Sequence, residues 1–522
     1  MQTTKMGVSL DLLPQLLRFN NHLLPIILSA VLFLILKTCF YGHSSSRTSK
    51  MKLPPGPKPL PVLGNMTQFI RAKQSLHVVL HDLAKAYGPI CHLKVGQVSL
   101  VSVTSSEVAK EILKTQELTF AQRPKSPIFE AARFDQGGLG FAPYGEYWRK
   151  IRKVCVMELL SPRRVREFRS LREQRISDLM ESVKCTTGLP FNISEMIFNC
   201  SNGIMLEASF GQKCSRLDKL SSAVTEELRL ASQSSLADVF PSLWFLNHLN
   251  GVKAKMTHFR AVFEEILGGI IADQKIGAKS RIHSSSYEEN LVDVLLRLQE
   301  STETASYLSD NTIKDIILDM VGGGVDTSPA VVEWALSEMM KNSDIMKKVQ
   351  AELRDSSKGK AILEEADLEK NQYLKLIIKE TLRLHPPAVF VGRVSREDCI
   401  IHGYDIPKES RVLINSWSLG RDPNCWENPE KFYPERFQSS SIDLAGTNFE
   451  FLPFGSGKRM CPGARFAVAS IELMLANLIY YFDWKLANGL APEELDMVED
   501  SGLTVRRLNP LIVVATPHHS TG

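Results

Sequence analysis

The stretch that decides the fold is FGSGKRMCPG, residues 454–463. Its cysteine, Cys461, follows a glycine-rich loop and precedes a largely apolar segment, residues 464–482, which is typical of a helix. Pro462 suits a first helical turn, because its missing N–H costs nothing there. Free N–H groups and the positive dipole end at a helix N-terminus stabilise a thiolate, so the sequence predicts a lowered pKa for Cys461. Such a thiolate either binds a soft metal or attacks an electrophile.

Other residues of the loop indicate a cofactor site. Gly455 and Gly457 permit backbone conformations and close approaches that side chains prevent, so a flat cofactor can lie over the loop. The loop matches the haem-binding signature of the cytochrome P-450 family at Phe454, Gly457, Arg459, Cys461 and Gly463. The chain therefore resembles that family. The resemblance implies that Cys461 is the proximal iron ligand of haem b, and that Arg459 reaches an acidic group at the haem edge.

Composition describes a folded protein. The chain has 522 residues, 23% of them charged, and a net charge of +4, which argues against a nucleic-acid partner. Its nine cysteines are scattered with no C-x-x-C pair, which argues against a disulfide framework or a zinc ribbon and favours reduced, cytosolic thiols. We expect one large catalytic domain over residues 62–522.

The N-terminal region predicts a membrane anchor. Residues 23–41 are mostly apolar and about long enough to span a bilayer. More basic residues follow this span than precede it, which places residues 1–22 in the lumen and the domain in the cytosol. We expect an uncleaved signal-anchor in the endoplasmic reticulum membrane, followed by a basic, proline-rich hinge over residues 42–61.

Periodicity predicts a protein that is mainly α with small β-sheets. Strands are expected at residues 90–103, 398–404, 411–415 and 511–515. Helices are expected at residues 147–157, 162–183, 256–278, 291–299, 311–341 and 367–384. The resemblance implies the cytochrome P-450 fold, preceded by a single N-terminal membrane anchor helix.

The helix predicted over residues 311–341 contains GGGVDTSP at 322–329. Interior glycines destabilise a helix, and Pro329 removes one N–H, so the segment is expected to kink or open. One interpretation is a glycine-kinked core helix. The other is an oxygen-activation site, because residues 323–328 match the family pattern for it. The resemblance assigns Thr327 to hydrogen bonding at the oxygen site and Asp326 to a proton relay.

Two further sets of residues match family motifs. Glu380 and Arg383 alone would be an ordinary helical i,i+3 pair. With Arg436, in the segment FYPERF at 432–437, the resemblance implies a buried network behind the haem, whose loss would remove haem incorporation. The resemblance also implies donors to the haem propionates from Trp148, Arg152 and Arg393. The alternatives are surface charges for the arginines and a core aromatic for Trp148.

Residues 148–175 contain ten Lys or Arg and three Glu, a net charge of +7. Such a run is usually a solvated face. In the fold that the resemblance implies, it lies near the thiolate side, where an acidic electron donor would dock. The chain has no G-x-G-x-x-G fingerprint after a strand and no spare flavin domain. NADPH–cytochrome P-450 reductase is the implied partner, so NADPH acts only indirectly.

These features together predict a membrane-anchored haem-thiolate monooxygenase of the plant microsomal type. It would insert one atom of O₂ into an apolar small molecule, such as a terpenoid or alkaloid of specialised metabolism. By family analogy the pocket is expected along residues 128–141, 228–249, 319–323 and 388–391. Two alternatives are an oxygen-independent rearranging enzyme of the same fold and a non-catalytic haem-binding sensor.

Overall fold

The computed structural model describes residues 29–31, 33, 51–72, 74–124, 127–211, 215–232, 236–243, 251–281, 289–357, 359–500 and 502–518. Four residues of the predicted anchor, 29–31 and 33, are helical and exposed, and the rest of the anchor lies outside the described residues.

Helices form most of the described chain. They are α1 Met66–Arg71, α2 Leu76–Tyr87, α3 Ser106–Lys110, α4 Pro127–Ala132, α5 Gly138–Phe141, α6 Glu146–Val154, α7 Pro162–Glu167, α8 Arg169–Lys184, α9 Ile193–Phe210, α10 Ser215–Ala231, α11 Leu236–Val239, α12 Val252–Arg281, α13 Leu291–Gln299, α14 Asp310–Lys341, α15 Ser343–Ser356, α16 Gln372–Leu384, α17 Ser416–Leu419 and α18 Ala464–Tyr481.

The strands form three small sheets. They are β1 Ile90–Val95, β2 Val98–Val103, β3 Phe191–Asn192, β4 Phe390–Val394, β5 Cys399–Ile401, β6 Tyr404–Ile406, β7 Arg411–Asn415, β8 Phe482–Leu486 and β9 Ile512–Pro517. The largest sheet has the order β1-β2-β7-β4, in which only β2 and β7 are parallel. The others are β3-β9-β8 and the β5-β6 hairpin.

Helix α14 runs through the main hydrophobic core, and most of its side chains are buried. It begins where Ser309 caps the first turn by accepting a hydrogen bond from Thr312 N. Helices α9, α10, α16 and α18 pack against it. Within the described part of the chain, only α18 is long and apolar enough to cross a membrane, and more than half of it is buried in the protein, as in a core helix.

The proline-rich segment is attached to the domain. His92 N in β1 donates to Pro55 O at 2.9 Å, and Asn65 Nδ2 donates to Pro57 O at 2.9 Å. Lys52 and Asp405 exchange two hydrogen bonds, at 2.7 and 2.8 Å. A Cβ on Gly56 would clash with the carbonyl oxygen of His92. The predicted hinge is therefore held on the β5–β6 hairpin at Lys52 and on the large sheet at Pro55.

The predicted fold class, mainly α with small sheets, is confirmed, but several boundaries differ. The strand predicted over residues 90–103 is a hairpin, because Gly96 turns the chain at φ +58. The helix predicted over 162–183 is interrupted at Phe168, which has φ −84 and ψ 13. The segment at 367–384 begins as a 3-10 turn, Glu365–Lys370. Strands β3, β4 and β8 were not predicted.

Candidate active site

The cysteine loop is closed on itself by backbone hydrogen bonds. Cys461 N donates to Phe454 O at 2.9 Å, and Met460 N donates to Gly457 O at 3.0 Å. Gly455 and Gly457 both have φ +70, a left-handed conformation that favours glycine. A Cβ on Gly457 would also clash with the carboxylate of Glu117. The loop thus needs both glycines to present Cys461.

Cys461 lies just before helix α18, whose first residue is Ala464. Pro462 therefore occupies the turn before the helix, and the expectation that it opens the helix is wrong. The backbone N–H groups of Gly463 and Ala464 both point at the Cys461 sulfur. Gly463 is the residue at the N-cap, and a Cβ on it would lie 3.9 Å from that sulfur, in ordinary contact. The helix end therefore directs amide dipoles at the sulfur as the sequence predicts.

The direction of the thiol pKa differs from the prediction. Burial by the surrounding protein raises the pKa of Cys461, although the two amides, Arg152 and Arg123 act in the opposite direction. Cys461 is nevertheless accessible from outside the protein. An accessible sulfur with amides and cations around it suits a thiolate that gains its main partner from a bound metal ion.

Arg459 is buried among backbone carbonyls. Its Nε, Nη1 and Nη2 donate to the carbonyl oxygens of Ala121 at 3.0 Å, Leu139 at 3.3 Å and Ala142 at 2.6 Å. A guanidinium has five N–H groups, so two remain without an acceptor among the described residues. Burial and the nearby Arg123 and Arg152 lower the pKa of Arg459 to about 9. Arg459 therefore has two N–H groups free to donate, and an anion beside it would stabilise its positive charge.

Three more arginines share this environment. Burial, with Arg123 and Arg459, lowers the pKa of Arg393 well below its usual range. Burial also lowers the pKa values of Arg123 and Arg152, which both act on Cys461. Among the described residues, none of these four arginines has a carboxylate within ion-pairing distance. Buried cations of this kind fit a cofactor that carries two carboxylates, and haem does.

Arg123 was not predicted as a site residue. It donates to Gly392 O at 2.9 Å, and Arg393 donates to the same oxygen at 2.9 Å. A small cavity beside them is lined by Arg393, Ser456 and Arg459. Arg123 is 269 positions from Gly392, and its stretch has no marked periodicity that would have singled it out.

Trp148 has a different bond from the predicted one. Its indole N–H donates to Leu139 O at 2.9 Å, inside the protein. The guanidinium of Arg459 lies over the ring at 4.2 Å, and that of Arg152 at 6.0 Å. The predicted hydrogen bond from Trp148 to a propionate stays a prediction, and the observed contact of the ring is with the arginines.

Helix α14 is uninterrupted through its glycines and Pro329, so the predicted opening of the backbone is wrong. The three glycines have different surroundings. A Cβ on Gly324 would come within 2.9 Å of Met205 in α9, whereas a Cβ on Gly323 would meet nothing within 4 Å. Gly324 thus permits close helix packing, and Gly323 borders open space. Thr327, one turn later, is half-buried and donates through Oγ1 to Gly323 O at 2.7 Å.

Asp326 is directed toward the C-terminal part of the chain. Arg506 Nη1 lies 2.9 Å from Asp326 Oδ1, close enough for an ion pair, although its alignment is not that of a hydrogen bond. Burial raises the pKa of Asp326, and Arg506 and Thr504 act in the opposite direction. Arg506 was not predicted, because 180 positions separate it from Asp326 and no local pattern links them.

The structure brings together Glu380, Arg383 and Arg436. The carboxylate of Glu380 accepts two hydrogen bonds from Arg383, at 2.7 and 2.8 Å, and Arg436 Nε lies 3.0 and 3.1 Å from its two oxygens. Tyr433 N adds a third donor at 2.7 Å. Glu380 and Arg383 side chains are both 0% exposed. Every charge in the cluster is therefore paired, as a buried network requires.

The stretch 148–175 presents fewer unpaired positive charges at the surface than its composition suggests. Arg172 is buried against Glu365, and Arg169 and Arg175 bind Glu364 and Glu207. Because these carboxylates come from elsewhere in the chain, the net charge of +7 overstates the charge of this surface. Arg149 and Arg166 remain exposed with no ion pair among the described residues.

Residues 54–512 match the family model described as Cytochrome P-450. The chain is 45% identical over 496 residues to a melianol synthase of Citrus sinensis, covering 94% of this chain and 96% of the relative. It is 41% identical over 491 residues to tabersonine 6,7-epoxidase isoform 1 of Catharanthus roseus, covering 93% and 96%.

A solved structure has the same fold. A zebra fish cytochrome P-450 with progesterone superposes with a TM-score of 0.73 at 19% identity, covering 85% of this chain and 100% of that one. The family match, the plant relatives and the accessible cysteine beside buried arginines agree. The chain belongs to the cytochrome P-450 family of haem-thiolate monooxygenases, whose cofactor is haem b and whose electrons come from a redox partner.

Proposed function

We propose that Cys461 is the iron ligand of haem b and that the buried arginines hold its propionates. The observation that carries this proposal is an accessible sulfur near four arginines, two of them buried and two half-buried, that have no carboxylate partner among the described residues. Arg459, Arg393 and Arg152 are the predicted propionate partners, and Arg123 is added to them. Bound haem supplies the redox-active iron at which O₂ is activated.

Thr327 and Asp326 are proposed to control protons at the oxygen site. The Thr327 hydroxyl donates to Gly323 O, so its own lone pairs stay available to accept a hydrogen bond. Asp326 is the adjacent acid, and its raised pKa makes protonation easier than for an exposed carboxylate. A Thr–acid pair next to the open space at Gly323 suits the delivery of protons one at a time.

The proposed substrate is an apolar small molecule, terpenoid- or alkaloid-like, of plant specialised metabolism. Similarity to enzymes named melianol synthase, tabersonine 6,7-epoxidase and premnaspirodiene oxygenase supports this class. The open space beside Gly323, on a helix surrounded by apolar core, supports an apolar ligand. One predicted pocket segment adjoins this helix, since residues 134–140 bind α14 through backbone N–H groups. In another, Val391 lies near Gly455 of the cysteine loop.

The proposed electron donor is NADPH–cytochrome P-450 reductase, and the proposed location is the endoplasmic reticulum membrane, with residues 23–41 as a single anchor and the domain in the cytosol. The apolar span and the basic residues after it support the anchor. Exposed Arg149 and Arg166 support docking of an acidic donor, although the surface is less basic than the sequence suggests.

The test uses the full-length protein in detergent or vesicles. We expect the reduced protein with carbon monoxide to show a red-shifted, thiolate-type Soret band that Cys461→Ser removes. With the reductase, NADPH and a terpenoid or alkaloid panel, product formation should consume O₂. Product without O₂ consumption would indicate the rearranging alternative, and absence of the thiolate band in the unmodified protein would refute the proposal.

A further inference from the structure

Two aspartates of α14 hold the glycine-rich segment 134–140 by its backbone. Asp315 accepts hydrogen bonds from Phe134 N at 2.9 Å and Asp135 N at 3.0 Å. Asp319, one turn later, accepts from Leu139 N at 2.6 Å and Gly140 N at 3.0 Å, both through Oδ2. The approach is so close that a Cβ on Gly138 would clash with the Asp319 carboxylate. The backbone N–H groups of this segment therefore depend on the two carboxylates of α14 as acceptors.

The Leu139 peptide joins this helix to the cofactor side of the protein. Its N–H is bound by Asp319, while its carbonyl accepts from Trp148 Nε1 at 2.9 Å and Arg459 Nη1 at 3.3 Å. A bond to an ionised carboxylate is stronger than a neutral one, and it polarises the peptide whose oxygen receives the other two bonds. Asp319 and Leu139 thus connect α14 with Arg459, two residues before Cys461.

We propose that Asp319 is a positioning residue for the haem-binding arginine: through the Leu139 peptide it fixes Arg459 and the indole of Trp148 beneath it. This inference rests on the proposed role of Arg459 toward the haem carboxylates. Asp319 itself touches neither the cofactor loop nor a charged partner within ion-pairing distance among the described residues. Its hydrogen bonds from Leu139 N and Gly140 N are both to backbone groups, so its influence passes through them.

The experiment measures haem release from the full-length, haem-loaded protein to excess apomyoglobin. Asp319→Asn keeps the size of the side chain and one carbonyl acceptor but removes the charge. Asp315→Asn is the matched control, because it is the same change one turn earlier and its amide partners do not contact Arg459. We expect Asp319→Asn to release haem about fivefold faster, since charge-assisted bonds are roughly twice as strong as neutral ones. Asp315→Asn should differ from the wild type by less than about twofold.

A double-mutant cycle separates positioning from general destabilisation. In an Arg459→Lys background, Asp319→Asn should add little to the rate of haem release, because the residue it acts through is already changed. If Arg459→Lys does not load haem, Trp148→Phe serves as the background, since it removes the other donor to Leu139 O. Amide exchange at Leu139 and Gly140 should also be faster in Asp319→Asn than in Asp315→Asn.

The outcomes distinguish the two proposals. Additive effects of Asp319→Asn in both backgrounds, or equal effects of the two aspartate changes, would overturn the positioning role. An Arg459→Lys protein that releases haem at the wild-type rate would instead contradict the proposed role of Arg459, whatever Asp319→Asn does.

Discussion

Glu380→Gln tests how strongly the protein depends on one buried carboxylate. The change keeps the shape of the side chain and one acceptor but removes its charge. Glu380 accepts bonds from Arg383, Arg436 and Tyr433 N, at distances between 2.7 and 3.1 Å. Without the carboxylate, the fully buried Arg383 and the nearly buried Arg436 face each other with no anion between them.

The expected loss is large relative to the stability of the protein. Removing one partner of a buried ion pair typically costs about 3–5 kcal/mol, because an uncompensated charge stays in the interior. Folded proteins are stable by about 5–15 kcal/mol in total. A loss of about 3 kcal/mol changes the ratio of folded to unfolded protein about a hundredfold. We therefore expect little haem-loaded Glu380→Gln protein, and a lower urea midpoint for what is obtained.

The chain contains a matched control in Glu226→Gln. Glu226 and Arg229 are also a Glu–Arg pair at i,i+3 on a helix, with bonds of 2.6 Å. Their side chains are 43% and 58% exposed, against 0% for Glu380 and Arg383. Water and salt screen the exposed pair, so its loss should leave haem content and midpoint near the wild type.

The measurement is the thiolate Soret band of the reduced, carbon monoxide-bound full-length protein, recorded per milligram and along a urea series. Wild-type haem content and midpoint in Glu380→Gln would refute the reasoning, because the buried arginines would then need no anion. Equal losses in Glu380→Gln and Glu226→Gln would refute it as well, since burial would then not matter.

Three further predictions concern the proton path and the α14 carboxylates. Thr327→Ala should oxidise NADPH with less product per NADPH, whereas Thr327→Ser keeps the hydroxyl and should stay near wild type; unchanged coupling in Thr327→Ala would exclude the relay role. Arg506→Gln should raise the pKa of Asp326 further and shift the pH profile of product formation upward, Arg506→Lys should largely restore it, and identical profiles for all three proteins would contradict the ion pair. Burial raises the pKa of Asp319 to about 6, so the carboxyl is ionised above that pH and neutral below it. The ratio of haem release between Asp319→Asn and wild type should therefore be largest above pH 7 and approach one near pH 5; a constant ratio would contradict the role of the charge. The groups around Asp319 that also titrate or carry charge are Arg133, Asp315, Tyr147 and Cys155.

Local motifs predicted the parts of the site that are short-range. The cysteine loop depends on glycines and an arginine within ten residues, and the Glu380–Arg383 pair lies on one helix turn. Spacing indicated a cofactor loop and an ordinary helical pair, and the resemblance added their roles toward haem. Arg436 could be added only through resemblance, because it is 56 positions from Glu380. The sequence was least informative about site residues that are brought in by contacts between distant segments of the chain. Arg123 and Arg506 reach the site from distant segments, and nothing in their local patterns indicates it.

Two local rules were outweighed by packing. Pro329 and the glycines disfavour a helix, but the side chains on both sides of this segment are buried in the main core, and that burial keeps α14 continuous. The helix dipole favours a low pKa for the Cys461 thiol. Burial by the surrounding protein raises that pKa by more, and the extent of burial cannot be read from the sequence. Likewise, basic residues of the stretch 148–175 form ion pairs with Glu364 and Glu365, which lie outside that stretch.

The attachment of the proline-rich segment to the domain would set the length of the tether between the enzyme and the membrane in which we propose it is anchored. If the anchor ends at residue 41, only residues 42–51, ten in number, remain before the chain is held at Lys52 and Pro55. Fully extended, ten residues span at most about 36 Å. With the proposed anchor, a tether this short, held on the β5–β6 hairpin and on the large sheet, would restrict rotation of the domain above the bilayer, so that one side of it would stay turned toward the lipid.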